Sequence, residues 1–439
     1  MIETIKTNIK EYIYIVQSSI TSKCKIGKTN DLEKHLKEYN NITDKSKANN
    51  YQYLFTCQVL NMTIVKYDFE EKFSIMQEET YREIYFYNSG LFKEYVNFIK
   101  FHKMFIKEIF IKTDKPKQTT KIIKKTIPSL EERGLTYREV MQQAQNIDND
   151  EFYTRYEDIE KELKMYDKKI WKDKCVFCNC DDVVDNDDRN TSAFPLYFLL
   201  NFKELGLKKL ICTHYSDKVD LFEQWTERGE KYVYMREFTL NGYKEFKDYP
   251  EGYTGSFEAP LSLKILNDKA DIVCTNPPFS KAIGYWKLVI ESGKNFIIIS
   301  NITNAINSAF IPYFKNNQVW AGYNEVDWFL SPKKELIRAA GFWYTNIPIN
   351  DRPKYKQLKI IPLKEIPEKH KKYDDSNTLL VDNCYIPSDY KKPFAVSTRP
   401  ILNGLLEKGY KIVQEKTYAP YINGKCKFAR VLVQKGKTL

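Results

Sequence analysis

The chain has 439 residues, a length that predicts two or three domains with a sizeable core. Its nine cysteines are scattered, no charged and then apolar leader follows Met1, and no apolar run approaches the ~18 residues that span a bilayer. These features argue against a secreted disulfide framework and a membrane protein, so we expect a soluble, cytoplasmic protein. The formal charge of +11 and the 15% aromatic content suit a nucleic-acid partner, although an AT-biased genome explains them equally well.

Two short β-type runs open the chain, at residues 12–16 (Tyr-Ile-Tyr-Ile-Val) and 24–29 (Cys-Lys-Ile-Gly-Lys-Thr). A polar helix pattern follows at 31–39, and Asn30 or Asp31 can cap its amino terminus. This order predicts a small α/β domain over residues 1–110.

These motifs resemble the GIY-YIG nuclease superfamily, in the variant whose second motif reads Lys-Ile-Gly. The resemblance implies that groups on the strands, an arginine on the first helix and a metal-binding glutamate on a later helix cleave a phosphodiester. The positions of this chain that match the family's motifs are Tyr12, Tyr14, Lys25, Gly27, His35 and Glu83.

Two positions depart from the family's pattern. His35 stands where the helix should carry arginine, and Ser74 stands where a histidine is often found. Without the arginine, the charge that builds on the transferring phosphate loses its main stabiliser. We therefore expect a degenerate nuclease fold that binds nucleic acid; active cleavage, and a small domain with neither role, are the alternatives.

A basic segment separates this domain from the rest of the chain. Nine lysines lie between Lys100 and Lys125, and Pro116 and Pro128 interrupt any helix there. Such a lysine-rich segment is a solvated linker or a charged helix face. We place a basic linker at residues 111–147, which can also touch a phosphate backbone without reading sequence.

The next elements predict a βαβ unit. Tyr156, Ile159 and Leu163 give one face of a helix, and a short apolar strand that ends in small and acidic residues follows at 174–182. A helix then runs to Leu205 and Gly206, and a second strand covers 208–213. This order predicts a parallel sheet with right-handed crossovers. The three cysteines at the first strand, Cys175, Cys178 and Cys180, have no second paired set, so we expect buried strand cysteines in preference to zinc ligands.

Residues 271–279 read Asp-Ile-Val-Cys-Thr-Asn-Pro-Pro-Phe. The apolar half predicts a buried strand, and the two prolines end it in an extended loop at its carboxyl end, where open α/β sheets place ligands. An amide oxygen, a carbonyl and an aromatic face there can grip an exocyclic amine and stack on its ring. An ordinary proline turn is the alternative. The motif resembles the Asn-Pro-Pro-aromatic signature of amino-group methyltransferases that use S-adenosylmethionine, above all those that make N6-methyladenine in DNA.

Four ordered motifs resemble the EcoRI-type adenine-specific methyltransferases, over about 148–415. They read Asp-Glu-Phe-Tyr-Thr at 150–154, Cys-Asn-Cys-Asp-Asp at 178–182, Leu-Gly-Leu-Lys-Lys-Leu-Ile at 205–211 and Thr-Asn-Pro-Pro-Phe at 275–279. The resemblance implies an α/β chain with a Rossmann-like S-adenosylmethionine-dependent methyltransferase sheet. Its core would cover 148–309, with completion of the sheet and target recognition at 310–439.

The same resemblance implies the cofactor-binding residues. Phe152, Tyr153 and Thr154 would line the methionine end of S-adenosylmethionine. Asn179, Asp181 and Asp182 would lie near its charged groups, which an acid suits because the cofactor carries an ammonium and a sulfonium. Ser256 and Phe257 would hold the adenine, with Ser256 in the place of the family's aspartate.

The implied activity is methyl transfer to adenine N6 in double-stranded DNA, by Asn276, Pro277, Pro278 and Phe279, with no metal implied. Because the target base lies inside a duplex, it must be flipped out. A fused restriction-modification protein with an active front domain, and an inactive nucleic-acid-binding protein, are the rival functions. Nothing in the sequence predicts an oligomeric state.

Overall fold

The computed structural model describes residues 10–18, 23–42, 51–78, 83–87, 89–111, 153–182, 192–215, 233–246, 249, 253–330, 336–350, 358–366, 371–374, 378–381, 385–414, 421–426 and 430–436. Contacts divide the chain into two units, the first made of 1–127 and 171–262 and the second of 128–170 and 263–439. Within the described segments, no helix has the length and apolar character to cross a membrane. The predicted linker lies outside them except for its first residue.

The amino-terminal elements form an antiparallel sheet with three helices. The strands are β1 (Tyr12–Ser18), β2 (Lys23–Thr29), β3 (Tyr51–Val59), β4 (Ile84–Phe86) and β5 (Phe105–Glu108), in the order β4-β2-β1-β3-β5. The helices are α1 (Leu32–Ile42), α2 (Met62–Lys72) and α3 (Ser89–Phe101). The predicted strands and helix are confirmed, and Asp31 caps α1, since its Oδ1 accepts a hydrogen bond from Lys34 N at 3.0 Å.

The middle of the chain confirms the βαβ prediction. Its elements are β6 (Tyr153–Thr154), α4 (Tyr156–Leu163), β7 (Cys175–Cys178), α5 (Ala193–Leu200), α6 (Phe202–Leu205), β8 (Lys209–Thr213), β9 (Met235–Thr239) and β10 (Gly242–Phe246). In the first unit four strands follow the order β10-β9-β8-β7, with β7 and β8 parallel and α5 and α6 between them. Gly206 ends α6 in the left-handed region, at φ 65°.

The second unit contains a further run of strands. After α7 (Pro260–Lys264) come β11 (Ile272–Thr275), a 3-10 helix (Phe279–Lys281), α8 (Ala282–Glu291), β12 (Asn295–Asn301), α9 (Ile311–Lys315), β13 (Trp320–Leu330) and β14 (Leu336–Thr345). The strand order in this unit is β11-β12-β14-β13-β6, with β11 and β12 parallel.

The expectation of a parallel sheet is correct for the pairs β7–β8 and β11–β12. β9 pairs antiparallel with both β8 and β10, and β14 pairs antiparallel with β12 and β13. A tight turn at Leu240 and Asn241 joins β9 to β10, and so short a connection can join only antiparallel strands. The strands are therefore mixed in direction.

Beyond β14, the described residues form short strands, one α-helix and two 3-10 helices. The strands and the α-helix are β15 (Lys359–Ile361), β16 (Lys371–Lys372), β17 (Leu379–Val381), β18 (Tyr385–Pro387), β19 (Phe394–Val396), α10 (Thr398–Leu402), β20 (Tyr410–Ile412), β21 (Tyr421–Ile422), β22 (Lys425–Cys426) and β23 (Val431–Lys435). Five of these strands form a sheet in the order β16-β17-β19-β23-β20.

A buried carboxyl group fastens α4 to β13 in the second unit. Glu162 Oε1 accepts hydrogen bonds from Tyr323 N at 2.8 Å and Tyr166 Oη at 3.1 Å, and its Oε2 accepts one from Asn324 Nδ2 at 2.9 Å. Gly322 is needed beside it, since a Cβ there would lie 2.3 Å from Glu162 Oε1. Burial raises the pKa of Glu162 to about 7, although the three hydrogen bonds act against the shift.

This raised pKa predicts a pH-dependent stability. The folded state holds the Glu162 proton more tightly than the unfolded chain does, and this difference stabilises the fold. The stabilisation is complete below pH 4.5, the ordinary pKa of the group, and is lost as the pH rises through about 7, its pKa in the folded state. Glu162→Gln should remove this pH dependence, which is on the order of 2–3 kcal/mol in the free energy of unfolding. Urea unfolding between about pH 5 and pH 8 measures it.

Glu157→Gln, at an exposed position of the same helix, is the matched control. Its stability should follow the wild-type pH profile. If the profiles of Glu162→Gln and the wild type run parallel, the buried carboxyl group does not carry the effect.

Candidate functional site

The loop after β11 has the predicted form. All residues of β11 are buried, and the chain leaves the strand at Asn276 and the two prolines. Pro278 is extended, at φ −50° and ψ 131°, and its carbonyl accepts a hydrogen bond from Lys281 N at 3.0 Å, which starts the 3-10 helix. Asn276 therefore lies at the carboxyl end of a strand with a parallel neighbour, and its Oδ1 is shielded from solvent.

Phe279 contacts a second aromatic ring, Phe329 of β13. The ring centroids lie 5.8 Å apart and the planes meet at 88°, an edge-to-face contact. Phe329 is fully buried, and Gly341 on β14 makes room for it, since a Cβ there would lie 2.7 Å from Phe329 Cζ. The local sequence around Phe329 does not predict this contact, because β13 and the loop are far apart in the sequence and become neighbours only when the chain folds.

The same ring connects the loop to a predicted cofactor-binding segment. Phe329 is the cross-strand partner of Thr154, and Leu330 is that of Tyr153. Thr154 is buried, and its Oγ1 has no hydrogen-bond partner in the described part of the chain. The second unit thus brings Thr154 and Phe279 to one phenylalanine ring. Phe152 lies outside the described residues.

The other predicted cofactor-binding residues lie in the first unit, at the carboxyl ends of β7 and β8. The buried Asn179 accepts a hydrogen bond from Thr213 Oγ1 at 3.0 Å, and Thr213 Oγ1 accepts one from Cys180 N at 3.0 Å. Cys180 has a left-handed backbone, at φ 58°. Thr213 of β8 therefore holds the start of the loop that follows β7, next to Asp181 and Asp182.

Those two aspartates have different surroundings. Asp181 is partly buried and accepts a hydrogen bond from Ser192 Oγ. Asp182 is buried, and its Oδ2 forms an ion pair with the Arg236 guanidinium, which is itself buried. The sequence does not single out Arg236, whose role follows from the pairing of β8 with β9. Cys175 and Cys178 are buried in β7, and no metal-binding group of three or more His, Cys, Asp or Glu occurs among the residues described.

The segment at 255–257 approaches the same ends of the strands. Gly255 has φ 75°, and a Cβ there would lie 1.7 Å from His214 O. Its carbonyl lies 3.6 Å from Cys180 Sγ, which donates to it. Ser256 Oγ accepts a hydrogen bond from Glu258 N at 3.3 Å, and Phe257 is buried. The first unit therefore brings the predicted residues on both segments together.

The predicted nuclease-like residues also come together, within the amino-terminal sheet. Tyr14 of β1 pairs with Gly27 of β2, and a Cβ on Gly27 would lie 2.1 Å from Tyr14 Oη, so only glycine leaves room for the ring. Tyr14 Oη lies 2.6 Å from His35 Nε2 and 3.2 Å from Tyr39 Oη, and burial raises the pKa of Tyr14. Tyr12 is partly buried and packs against this cluster. The tyrosine at 39 shares the face of His35 because it lies four residues further along α1.

The prediction that the family's glutamate lies on a helix is wrong for Glu83. It lies in a turn immediately before β4. The pairing of β4 with β2 decides this position, because Ile84, the next residue, is the cross-strand partner of Lys25. Lys25 Nζ lies 2.6 Å from the Glu83 carboxylate and Lys66 Nζ lies 3.6 Å from it. The hydrogen bond from Lys25 holds the pKa of Glu83 below its usual range. Ser74 lies in a short 3-10 helix outside this cluster.

Gly255 offers a stability test of this geometry. Gly255→Ala should lower the free energy of unfolding by more than about 3 kcal/mol, because the Cβ meets a backbone carbonyl as well as a left-handed φ. Gly206→Ala is the matched control, since it has a similar φ of 65° but finds its nearest atom at 3.5 Å. That control should lose only about 1–2 kcal/mol. Thermal and urea unfolding compare the two, and equal losses would contradict the close approach of Gly255 to His214.

Comparison with known proteins identifies both parts of the chain. Residues 140–418 match the family of the adenine-specific methyltransferase EcoRI, and residues 11–100 match the T5orf172 domain. The Type II methyltransferase M.EcoRI of Escherichia coli is 31% identical over 331 residues, which cover 67% of this chain and 96% of that protein. The Type II methyltransferase M.MgeORF184P of Mycoplasma genitalium is 35% identical over 181 residues, 41% of this chain and 50% of that protein.

A third relative, the Type II methyltransferase M.MpnI of Mycoplasma pneumoniae, is 29% identical over 236 residues, 49% of this chain and 67% of that protein. No solved structure gave a significant match. The family match spans the βαβ unit, the loop after β11 and the strands around Phe329. The chain therefore belongs to the EcoRI family of adenine-specific methyltransferases and carries a T5orf172 domain at its amino terminus.

Proposed function

We propose that the protein methylates adenine N6 in a specific site of double-stranded DNA, with S-adenosylmethionine as the methyl donor. The observation that carries this proposal is the position of Asn276, Pro277, Pro278 and Phe279 at the carboxyl end of β11, with Phe279 against Phe329 and Thr154 beside that ring. The parallel pairs β7–β8 and β11–β12 support a Rossmann-like sheet, in which ligands bind at these strand ends.

The residues present fit S-adenosylmethionine. Thr154 carries a buried hydroxyl without a hydrogen-bond partner among the described residues, and Tyr153 precedes it. Asp181 provides a carboxylate for a cationic ligand, and Asn179 fixes the loop that carries it. Phe257 and the close backbone at Gly255 would take the adenine ring, and Phe152 would belong to the methionine end. S-adenosylmethionine supplies, when bound, a methyl group on a sulfonium, ready for transfer to a nucleophile.

Binding of the target adenine falls to the loop after β11. The base must leave the duplex, which costs a few kcal/mol in lost stacking and pairing. Stacking on Phe279 offsets part of this cost, and the contact of Phe279 with Phe329 holds its ring in one orientation. We therefore assign Phe279 to holding the flipped base.

Asn276 and Pro277 orient the reacting amine. The Asn276 amide oxygen and the Pro277 carbonyl accept the two N6 hydrogens, which directs the nitrogen lone pair towards the methyl group. The Asn276 oxygen is shielded from water, and a hydrogen bond is stronger in such surroundings. The amine loses its proton after attack, so orientation contributes more than a base.

Asn276→Ala tests this assignment. We expect a loss of about 100-fold or more in kcat, because misplacement of the amine costs that much, with the affinity for S-adenosylmethionine unchanged. Incorporation of labelled methyl groups into duplex DNA measures the rate, and isothermal titration calorimetry measures the affinity.

Asn295→Ala is the matched control, since Asn295 is an exposed asparagine at the start of β12 in the same unit. It should retain wild-type activity. Undiminished transfer by Asn276→Ala would sink the proposed role of the loop.

A second proposal concerns the T5orf172 domain, for which we propose a GIY-YIG-like fold that binds nucleic acid and does not cut it. The supporting observation is that Lys25 and Lys66 form ion pairs with the Glu83 carboxylate. In the nucleases that this domain resembles, the glutamate at the matching position binds a metal ion. His35, in the place of arginine, lies within hydrogen-bond distance of the buried Tyr14 hydroxyl. A fused restriction-modification protein is the competing function.

An assay of DNA cleavage by the full-length protein distinguishes a domain that only binds nucleic acid from a fused restriction-modification protein. Unmethylated plasmid incubated with the protein and Mg²⁺ or Mn²⁺ should remain supercoiled on an agarose gel. Cleavage that is lost in Glu83→Gln and blocked by prior methylation would establish the competing function instead. The Glu83→Gln variant distinguishes such cleavage from a contaminating nuclease.

A further inference from the structure

Arg236 is a buried cation beside the proposed cofactor-binding loop. Its Nη1 donates to Asp182 Oδ2, and its Nε donates to Glu245 Oε1 at 3.2 Å. The side chains of Arg236 and Asp182 are almost completely out of water, and Glu245 is nearly so. Removing one partner from such a group leaves an uncompensated charge in the interior, so all three positions depend on each other.

The remaining side of this guanidinium is covered by the amino-terminal domain. The Phe86 ring of β4 lies with its centroid 5.3 Å from Arg236 Cζ. Phe86 is fully buried and makes edge-to-face contacts with Phe238 at 5.7 Å and Tyr243 at 5.3 Å, on β9 and β10. A ring face next to a desolvated cation stabilises that cation. The domain thus contributes directly to the surroundings of Arg236.

A second contact reaches the same network through charge. Lys23 Nζ of β2 lies 3.2 Å from Glu245 Oε2 and 3.3 Å from Glu78 Oε1. Next to it, Tyr243 N donates to Gln77 O at 2.9 Å. Charges of alternating sign therefore run from Lys23 through Glu245 and Arg236 to Asp182, at the loop that follows β7.

We infer that the T5orf172 domain is a structural part of the cofactor-binding site, with Lys23 and Phe86 as positioning residues that act on Asp182 through Arg236. The inference rests on the proposed function, in which the loop of Asn179, Asp181 and Asp182 binds S-adenosylmethionine. The Arg236 guanidinium is paired with the Asp182 carboxylate, so Asp182 positions the loop that also carries Asn179 and Asp181. Loss of the Lys23 or Phe86 contacts lowers the affinity for the cofactor. It leaves unchanged the residues after β11 that bind the target adenine of the DNA.

Full-length Lys23→Met and Phe86→Leu test the inference. Each should raise the Kd for S-adenosylmethionine by about threefold to thirtyfold in isothermal titration calorimetry, the range expected for coupling through a contact network. The KM for the cofactor should rise in parallel, while kcat and the KM for duplex DNA stay within about twofold of wild type. Lys23→Arg, which keeps the charge, should restore the wild-type Kd.

Lys28→Met is the matched control. Lys28 lies on the same strand, is exposed and donates to Thr63 Oγ1 at 2.8 Å, away from the hairpin of β9 and β10. It should bind the cofactor as the wild type does. Near-UV circular dichroism establishes that each variant is folded, and Lys23→Met, at a partly exposed side chain, carries the test if Phe86→Leu does not fold.

Two results would overturn the inference. The first is a cofactor Kd within twofold of wild type in folded Lys23→Met. The second is an equal loss in kcat, cofactor affinity and DNA affinity, which is the mark of general destabilisation. If the wild-type protein itself fails to bind S-adenosylmethionine, the proposed function fails, and that outcome is distinct from both.

Discussion

Two consecutive prolines decide where the proposed chemistry takes place. Neither Pro277 nor Pro278 has an N–H to donate, so β11 cannot extend beyond Thr275. The chain leaves the buried strand at its carboxyl end, with Asn276 still held by the strand and Phe279 free to pack against Phe329. The proposed alignment of an amine depends on this rigid exit, because a flexible loop would lose the orientation on which the rate depends.

Two buried charged residues support the surrounding strands by different means. Arg236 in the first unit is balanced by two carboxylates and covered by an aromatic ring. Glu162 in the second unit accepts three hydrogen bonds from neutral donors, and burial raises its pKa to about 7. Arg236 therefore stays charged at all relevant pH values, whereas Glu162 changes charge near neutrality. We therefore expect the strands around Glu162 to respond to pH near neutrality and those around Arg236 not to.

Local patterns in the sequence predict those parts of the structure that depend on neighbouring residues. The strands at β1, β2, β7, β8, β11 and β12, the cap of α1 by Asp31 and the βαβ unit all follow from periodicity, capping and proline chemistry. Contacts between distant segments do not follow in this way. Phe329 meets Phe279, and Arg236 meets Asp182, only after the strands have paired. The error at Glu83 has the same origin, since a family motif gave its role while the pairing of β2 with β4 decided its place.

The most direct test of the account is to identify the methylated base. The purified protein is incubated with labelled S-adenosylmethionine and mixed-sequence duplex DNA, the product is digested to nucleosides, and the labelled nucleoside is identified by liquid chromatography and mass spectrometry. We predict that the label appears as N6-methyladenine and that unlabelled S-adenosylmethionine competes with it. Label on another base, or no transfer by a protein that is folded, would contradict it.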